Sequence, residues 1–370
     1  MANAPHHDGR AGPPPGAPSQ LGTGGRRRLL TGLRPTGRFH LGNFIGTLEK
    51  DLELQDDPRF ECFFLIADYH ALTTYYESSR EIGGNIREAL LDFLSVGIDP
   101  QKSTIYLQSL IPEVAELFLL FTMLVSAPRA QRIPTLKEQV RDLKMESASL
   151  GLLNYPVLQA ADILMVRGEV VPVGKDQLSH IELTREIARR FNALYGPVFP
   201  ESEGLVGRIP TLPGTDSGPK MSKSVGNVIY LADDAETVRK RVMAMFTDPT
   251  RLRATDPGHV KGNPVFVYHD AFNRDAAEVK ELKARYVKGT VGDVEVKRKL
   301  VAALNGFLDP IRDRRAAYER QPGLLDDILA EGSRRAREEA RETLRLARDA
   351  MGLDYFGAAR ATVEVVGGRA

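Results

Sequence analysis

The chain has 370 residues, of which 42% are hydrophobic and 27% charged, with a formal net charge of +1. That length and apolar content allow a full hydrophobic core, and we expect two domains. The near balance of charge excludes a global field that attracts nucleic acid, so RNA would have to bind local basic stretches. The single cysteine, Cys62, excludes an intrachain disulfide and a multi-cysteine metal site.

The first 27 residues are rich in proline, glycine and alanine. A segment so poor in large apolar side chains cannot pack, and we predict a disordered arm over residues 1–27. The sequence shows no apolar stretch long enough for a membrane span and no charged-then-apolar signal segment at its start. We therefore expect a cytoplasmic protein that does not bind membranes.

The first candidate nucleotide-binding motif follows a short buried strand. Residues 29–33 predict the strand, and a turn and an amphipathic helix through Leu52 follow it. His40, Gly42 and Asn43 stand at the helix start, where free N–H groups and the positive end of the helix dipole favour phosphate. Gly42 lets the backbone approach a ligand closely, and the other two side chains are neutral donors.

Strand and helix patterns alternate over residues 28–232. Strands are predicted at 61–67 and 103–108, and helices at 82–97 and 113–126. This alternation predicts an α/β fold with a Rossmann-type parallel sheet and helices on both faces. Such sheets bind ligands at the carboxyl ends of their strands, where we place the loops at 34–43, 68–70 and 174–177.

The segment from Tyr155 to Leu164 predicts part of a substrate pocket. Pro156 suits the first turn of a helix, and Tyr155, Gln159 and Asp162 then share one helix face. Burial of Asp162 among apolar neighbours would cost free energy unless a hydrogen-bond donor, such as a ligand N–H or O–H, reaches it. The alternative is a solvent-facing, salt-bridged aspartate.

A strand and a polar turn come next. Residues 170–174 predict a strand that ends at Gly174, where the missing Cβ would let a ribose lie against the backbone. Asp176 can accept hydrogen bonds from ribose hydroxyls or cap the following helix. Gln177 can reach the amino-acid end of a substrate, whereas His180 is predicted on the helix surface.

The second candidate nucleotide-binding motif is the lysine-rich sequence at 220–224. Lys220 and Lys223 place two ammonium groups, beside two serine hydroxyls, on a loop flanked by Gly218 and Gly226. Such a loop can close over a triphosphate and stabilise the charge that develops on a leaving pyrophosphate. Alone it predicts only a solvated basic loop, but its position downstream of the His40 motif favours the phosphate role.

Strand signals fade after residue 232. The apolar spacing from Val296 to Leu308 and the mixed-charge stretch at 333–351 predict long helices. We expect an α-helical domain over 233–370, whose last helix could pack back on the first domain. The charged side chains between 312 and 349 are predicted to form a solvated helix surface.

The motifs together resemble those of bacterial-type tryptophanyl-tRNA synthetases, which are class I aminoacyl-tRNA synthetases. The resemblance runs from about residue 29 to 353 and is based on the segments 31–37, 40–43, 67–73, 155–164, 170–185 and 220–224. It implies a Rossmann-type catalytic domain, a C-terminal helical anticodon-binding domain and a homodimer. The implied reaction is a tryptophan–tRNA ligase reaction, with ATP, Mg²⁺, L-tryptophan and tRNA(Trp) as cofactors and partners.

The same resemblance implies roles for individual residues. Asp162 would accept the indole N–H, Tyr155 and Gln177 would hold the ammonium and carboxylate, and the pocket would also contain His70, Gln159 and Val173. The catalytic residues would be His40, Asn43, Lys220 and Lys223, with no metal ligand from the protein. ATP would be held by Arg34, Pro35, Thr36, Gly42, Asn43, Gly174, Lys175, Asp176, Ile209, Lys220, Met221, Ser222, Lys223 and Ser224.

Three residues depart from the family pattern. The family often has glutamine, methionine and glutamate where this chain has Arg34, Gln159 and Lys175. These departures predict a divergent, auxiliary copy with altered side-chain tolerance. Two alternative functions remain: a tyrosyl-tRNA synthetase, in which the aspartate accepts a phenol hydroxyl, and a catalytically silent RNA-binding or regulatory relative.

Overall fold

A computed structural model defines the fold of most of the chain. Residues 1–24 of the predicted N-terminal arm lie outside the described part, and so does Ile209, which was predicted to bind ATP. The structure describes residues 25–142, 148–206, 211–251, 253 and 255–355.

Five parallel strands form one sheet in the order β3-β2-β1-β4-β5. The central strand β1 pairs with β2 on one side and with β4 on the other, so that Leu29 is opposite both Cys62 and Val170. The carboxyl ends of β1 and β4 therefore flank the crevice at which such sheets bind ligands. The strands are β1 (Arg27–Leu33), β2 (Phe60–Ile66), β3 (Thr104–Leu107), β4 (Val170–Val173) and β5 (Glu203–Val206).

The predicted parallel sheet is confirmed, but β5 was not predicted. Its four residues include Gly204 and are largely half-exposed or exposed, so the segment lacks the apolar run that marked the buried strands. It pairs with β4 at the edge of the sheet, where only one side of a strand has a neighbouring strand.

Helices cover both faces of the sheet and form the C-terminal part. The predicted helices at 82–97 and 113–126 correspond to α4 and α5, of which α5 ends earlier than predicted. The helices are α1 (Leu41–Asn43), a π-helical segment (Phe44–Leu48), α2 (Glu49–Gln55), α3 (Asp68–Tyr75), α4 (Ile82–Val96), α5 (Glu113–Thr122), α6 (Ala127–Gln131), α7 (Pro134–Asp142), α8 (Leu150–Met165), α9 (Leu178–Tyr195), α10 (Ala235–Met243), α11 (Pro264–Phe272), α12 (Ala276–Val287), α13 (Asp293–Glu319) and α14 (Pro322–Met351).

Strand residues alternate between two apolar clusters, one on each face of the sheet. Leu29 and Phe64 belong to the cluster that includes Phe93 of α4. Leu30 and Leu65 belong to the cluster that includes residues of α8 and α9. Both faces are thus buried, which explains why these strands read as continuous apolar runs in the sequence.

The last helix, α14, lies directly against the edge strand β3. The backbone N–H of Leu107 donates to the Ser333 hydroxyl at 3.1 Å. A Cβ added to Gly332 would lie 1.8 Å from the Ile105 carbonyl oxygen, so only glycine allows this approach. The division of the chain into domains at residues 232 and 233 stays a prediction. None of the described helices has the length and apolar character that crossing a membrane requires.

The predicted start of α8 is wrong. The helix begins at Leu150, after Ser149, whose hydroxyl accepts from the Leu152 N–H at 3.1 Å. Pro156 therefore lies inside the helix, where its missing N–H leaves the Leu152 carbonyl without its usual helical partner. The capping serine was the better signal for the helix start.

Candidate active site

Two adjoining cavities lie at the carboxyl ends of β1 and β4. The smaller has a volume of about 210 Å³ and the larger about 520 Å³. Gly32, Gln159, Val171 and Gln177 line both cavities, so ligands bound in the two would be neighbours. The arrangement suits a reaction between a small molecule and a larger one.

Asp162 lies in the wall of the smaller cavity and is 1% exposed. Its Oδ2 is 2.8 Å from the His70 Nε2, and the Gln108 side-chain N–H groups donate to both carboxylate oxygens at 2.8 Å. Burial raises the pKa of Asp162, whereas the hydrogen bonds from His70 and Gln108 lower it. The alternative of a solvent-facing aspartate is therefore wrong, and protein groups stabilise the buried carboxylate.

Gln108 was not predicted as a site residue. The side chain is fully buried. Its Oε1 accepts from the backbone N–H of His70 at 3.3 Å, while its amide N–H donates to Asp162. It directly follows β3, where polar side chains of a parallel sheet converge. A polar residue at the end of an apolar run was the available signal.

Tyr155 is held by two further residues that sequence reasoning did not assign to the site. Its hydroxyl is 2.6 Å from the Thr135 hydroxyl and 3.3 Å from the His180 Nε2. His180 is completely buried because α9 packs against α8, so its predicted surface position is wrong. Burial lowers the pKa of His180 to about 4, which keeps the imidazole neutral near pH 7.

Arg34 lines the smaller cavity beside Tyr155 and Asp162. Its Nη2 donates to the Thr74 hydroxyl, and its guanidinium carbon is 5.9 Å from the centre of the Tyr75 ring. The buried Nε has no hydrogen-bond partner within the described residues. A guanidinium cation in a cavity wall is suited to bind a carboxylate or phosphate oxygen.

His40 and Asn43 form a reciprocal cap at the start of α1. The His40 Nδ1 accepts from the backbone N–H of Asn43 at 3.2 Å, and the Asn43 Oδ1 accepts from the backbone N–H of His40 at 3.0 Å. Burial, and to a smaller extent the charge of Lys223, lower the pKa of His40 to about 4. A neutral imidazole that accepts at Nδ1 carries its proton at Nε2, which leaves that N–H to donate.

The lysine-rich loop contacts the turn that follows β1. The Lys223 ammonium donates to the carbonyl oxygens of Thr36 at 3.2 Å and Gly37 at 3.1 Å. Asn227, which sequence reasoning missed, anchors the loop by accepting from the Ser222 N–H at 2.7 Å and donating to the Lys220 carbonyl at 3.3 Å. The two motifs thus lie side by side.

The larger cavity contains part of the predicted ATP set. Val173, Gly174 and Asp176 line it, although Val173 was predicted for the tryptophan pocket. Lys175 is exposed and lines neither cavity. Asp176 accepts from the side chain of Gln177 at 2.9 Å and does not cap α9, so the capping alternative is wrong. Pro35, Gly42, Asn43 and the motif 220–224 are not part of the two cavity walls.

Comparison with known proteins gives a consistent family. Residues 23–309 match the family model described as class I tRNA synthetases (W and Y). The tryptophan–tRNA ligase of Treponema pallidum is 55% identical over 328 residues, covering 88% of this chain and 97% of that protein. The tryptophan–tRNA ligase of Chlamydia caviae is 50% identical over 323 residues, covering 86% of this chain and 94% of that protein.

A solved structure is similar in fold. It is a Campylobacter jejuni tryptophanyl-tRNA synthetase complexed with ADP and tryptophan, with a TM-score of 0.79 and 36% identity. The match covers 88% of this chain and 99% of the Campylobacter chain.

Proposed function

Because the chain belongs to the class I tRNA synthetases for tryptophan and tyrosine, we propose that it is a bacterial-type tryptophan–tRNA ligase. It activates L-tryptophan with ATP to form tryptophanyl-adenylate and transfers the tryptophanyl group to tRNA(Trp). The observation that carries the proposal is the buried Asp162 carboxylate in a small cavity that adjoins a larger one at the strand ends.

The smaller cavity suits tryptophan. Leu30, Leu65 and Ile163 give it apolar walls, and Asp162 supplies an acceptor for the indole N–H. Arg34, Tyr155 and Gln177 are the polar groups of the same cavity that suit the amino acid's carboxylate and ammonium. An apolar ring would fill the cavity, and the single acceptor would fix its orientation.

The larger cavity suits ATP, with Gly174 and Asp176 at the ribose. The tryptophan carboxylate attacks the α-phosphorus, the bond to the leaving pyrophosphate breaks, and negative charge develops on the phosphate oxygens. Lys220, Lys223 and the His40 Nε2–H are the donors for that charge, and closure of the lysine loop brings the ammonium groups to the phosphates. No protein nucleophile takes part in the reaction.

Mg²⁺ enters as the complex with ATP. Within the part of the chain that the structure describes, no three His, Cys, Asp or Glu side chains are grouped to hold a metal ion. Mg²⁺ commonly binds through substrate phosphates and water with few protein ligands. A site without such a group of side chains is therefore compatible with MgATP as the substrate.

In the second step, a hydroxyl of the terminal ribose of tRNA attacks the tryptophanyl carbonyl carbon and AMP leaves. The helical part after residue 232 supplies the surface for the anticodon arm, with basic side chains at phosphates and single-base contacts for identity. A homodimer is also part of the proposal. Near α5, Leu110, Leu119 and Met123 are 45%, 55% and 66% exposed, and this apolar group is the proposed contact.

Amino-acid-dependent exchange of labelled pyrophosphate into ATP tests the function. The purified chain, given MgATP and each proteinogenic amino acid in turn, should catalyse exchange with tryptophan and then charge tRNA(Trp). Exchange with tyrosine alone would establish the tyrosyl alternative. No exchange with any amino acid would establish a catalytically silent relative.

A further inference from the structure

Asp92 on α4 links the first nucleotide-binding motif to the C-terminal part of the chain. The carboxylate is completely buried. Its Oδ2 accepts from the Phe39 N–H at 2.6 Å, one residue before His40, and its Oδ1 accepts from the Arg315 Nη1 on α13 at 2.7 Å. One buried carboxylate therefore joins the backbone of the motif to a helix more than 200 residues later.

Arg315 is 5% exposed and uses all three of its nitrogens. Besides Asp92, it donates to Glu88 at 2.6 Å and to Glu319 at 2.8 Å. Glu88 also accepts from the Arg38 Nε at 2.9 Å. Glu88 and Asp92 of α4, which both contact Arg315, therefore hold the two residues that precede His40. Glu88 binds the Arg38 side chain, and Asp92 binds the Phe39 backbone N–H.

The opposite side of the motif is also fixed. The Phe39 carbonyl accepts from the Leu231 N–H at 2.9 Å, and the Leu41 N–H donates to the Ile229 carbonyl at 2.9 Å. Residues 229–231 follow the lysine-rich loop, so the two motifs share this backbone pairing. Arg312, one turn before Arg315 on α13, donates to the Asp233 carbonyl at 2.7 Å. The helix thus contacts the segment after Leu231 directly, and the segment before His40 through the carboxylates of α4.

We propose that Arg315 is a positioning residue for adenylate formation, acting through Asp92 on the backbone that carries His40. This inference rests on the proposed function. Burial raises the pKa of Asp92 to about 6, while the Phe39 N–H and the charges of Arg315 and Lys223 oppose the rise and Glu88 on its own helix adds to it. Without Arg315 the buried carboxyl would be more readily neutralised, and its bond to the Phe39 N–H would lose the strength of an ionised acceptor.

Steady-state pyrophosphate exchange on Arg315→Ala tests the proposal, with Arg314→Ala as the matched control. Arg314 is the adjacent arginine of α13 and donates to the Ser95 carbonyl at the end of α4 at 2.6 Å, but it does not contact Asp92. Arg315→Ala should raise the KM for ATP, and so lower kcat/KM for ATP about tenfold or more, because misplacement of a binding group is costly. The KM for tryptophan should stay within about twofold of wild type, since the smaller cavity is not part of this chain of contacts.

Arg315→Lys keeps a cation near Asp92 and should restore most of the loss, whereas Arg314→Ala should behave like wild type. A merely structural effect would lower the active fraction and leave both KM values unchanged. If Arg315→Ala does not fold, Asp92→Asn gives the same readout, because it keeps the side-chain volume and removes the charge. Arg315→Ala kinetics equal to those of Arg314→Ala, or an unchanged KM for ATP in Asp92→Asn, would overturn the inference. Wild-type protein without tryptophan-dependent exchange would instead refute the proposed function.

Discussion

His40 and Lys223 lie at the same end of the sheet and supply different kinds of donor. Burial and the neighbouring ammonium keep His40 neutral, with its pKa at about 4. Burial also lowers the pKa of Lys223, but Asp92 raises it. A cation and a neutral N–H can therefore act on one phosphate group near pH 7 without repelling each other.

Lys223→Ala should lower kcat for tryptophan-dependent pyrophosphate exchange about 100-fold, the size of loss seen when one preorganised donor to developing charge is removed. Its ammonium contacts the turn after β1, next to the His40 motif. Lys240→Ala on α10 is the control, because Lys240 is exposed, with 72% of its side chain accessible. Exchange near the wild-type rate in Lys223→Ala would remove the loop from the chemistry.

Asp162→Asn should raise the KM for tryptophan about 10- to 100-fold, because an ionised acceptor of the indole N–H is lost. The KM for ATP should change little. A tryptophan analogue with a benzothiophene ring, which has no N–H, provides the control substrate. The wild-type enzyme should discriminate strongly between the two amino acids and Asp162→Asn only weakly. Equal discrimination by both proteins would contradict the assigned contact.

The residues with motif positions could be predicted from the sequence, and their supporting partners could not. Asp162 and Tyr155 share a helix face, which spacing alone indicates. Gln108 contacts Asp162, and Thr135 and His180 contact Tyr155, from other elements. These contacts depend on how β3, α7 and α9 pack around α8. The spacing of apolar residues within one element does not reveal contacts between elements.

At the level of elements, the first motif is not a simple amphipathic helix. The apolar spacing from Leu41 to Leu52 predicts one helix, but a π-helical segment over Phe44–Leu48 separates α1 from α2. A π segment changes which side chains face the sheet, and such segments are frequent at functional sites. The apolar spacing of the sequence gives no signal for it.

Gly42→Ala should raise the KM for ATP and lower kcat, because the added Cβ would lie 3.0 Å from the His40 ring and 3.4 Å from the Met221 Cβ. The contact would disturb the reciprocal cap and the lysine-rich loop together. Gly83→Ala, in the first turn of α4, is the matched control because nothing lies within 4 Å of its added Cβ. That variant should keep wild-type kinetics and gain about 0.4–1 kcal/mol of stability. Equal kinetics for the two variants would count against the steric argument.

Asp51 on α2 should make the stability of the fold depend on pH. It is fully buried against the sheet, and burial raises its pKa to about 8 despite the nearby Thr31 hydroxyl. Between the unfolded value near 4 and about 8, the folded state keeps a proton that the unfolded state releases, so stability falls as pH rises. Asp51→Asn has no such proton. Its stability relative to wild type should therefore increase by up to about 1.4 kcal/mol per pH unit between pH 5 and 8.

Urea denaturation of both proteins at several pH values measures this difference. The comparison cancels contributions from His40 and His180, whose lowered pKa values act in the opposite direction in both proteins. Parallel stability curves for wild type and Asp51→Asn would show that Asp51 does not carry a bound proton.

Across the whole molecule, charged side chains of the C-terminal helices form ion pairs with residues of β1 and α4. Arg28 of β1 is 1% exposed and pairs with Glu339 of α14 at 2.7 Å, and Arg315 reaches Asp92. The prediction of a solvated surface over 312–349 is therefore wrong for these residues, although Arg334 and Arg345 do form exposed pairs within α14. Which charges become buried depends on partners distant in sequence, and the helical period alone does not reveal them.

The proposed homodimer depends on the apolar group near α5, and Met123→Asp should dissociate it. An aspartate in a buried apolar contact would have to be desolvated without a partner, which costs several kcal/mol. Sedimentation velocity at micromolar concentration should show a dimer for wild type and a monomer for the variant. Leu194→Asp, at a 58% exposed leucine of α9, is the control and should remain dimeric. A monomeric wild type, or a dimeric Met123→Asp, would rule out this contact.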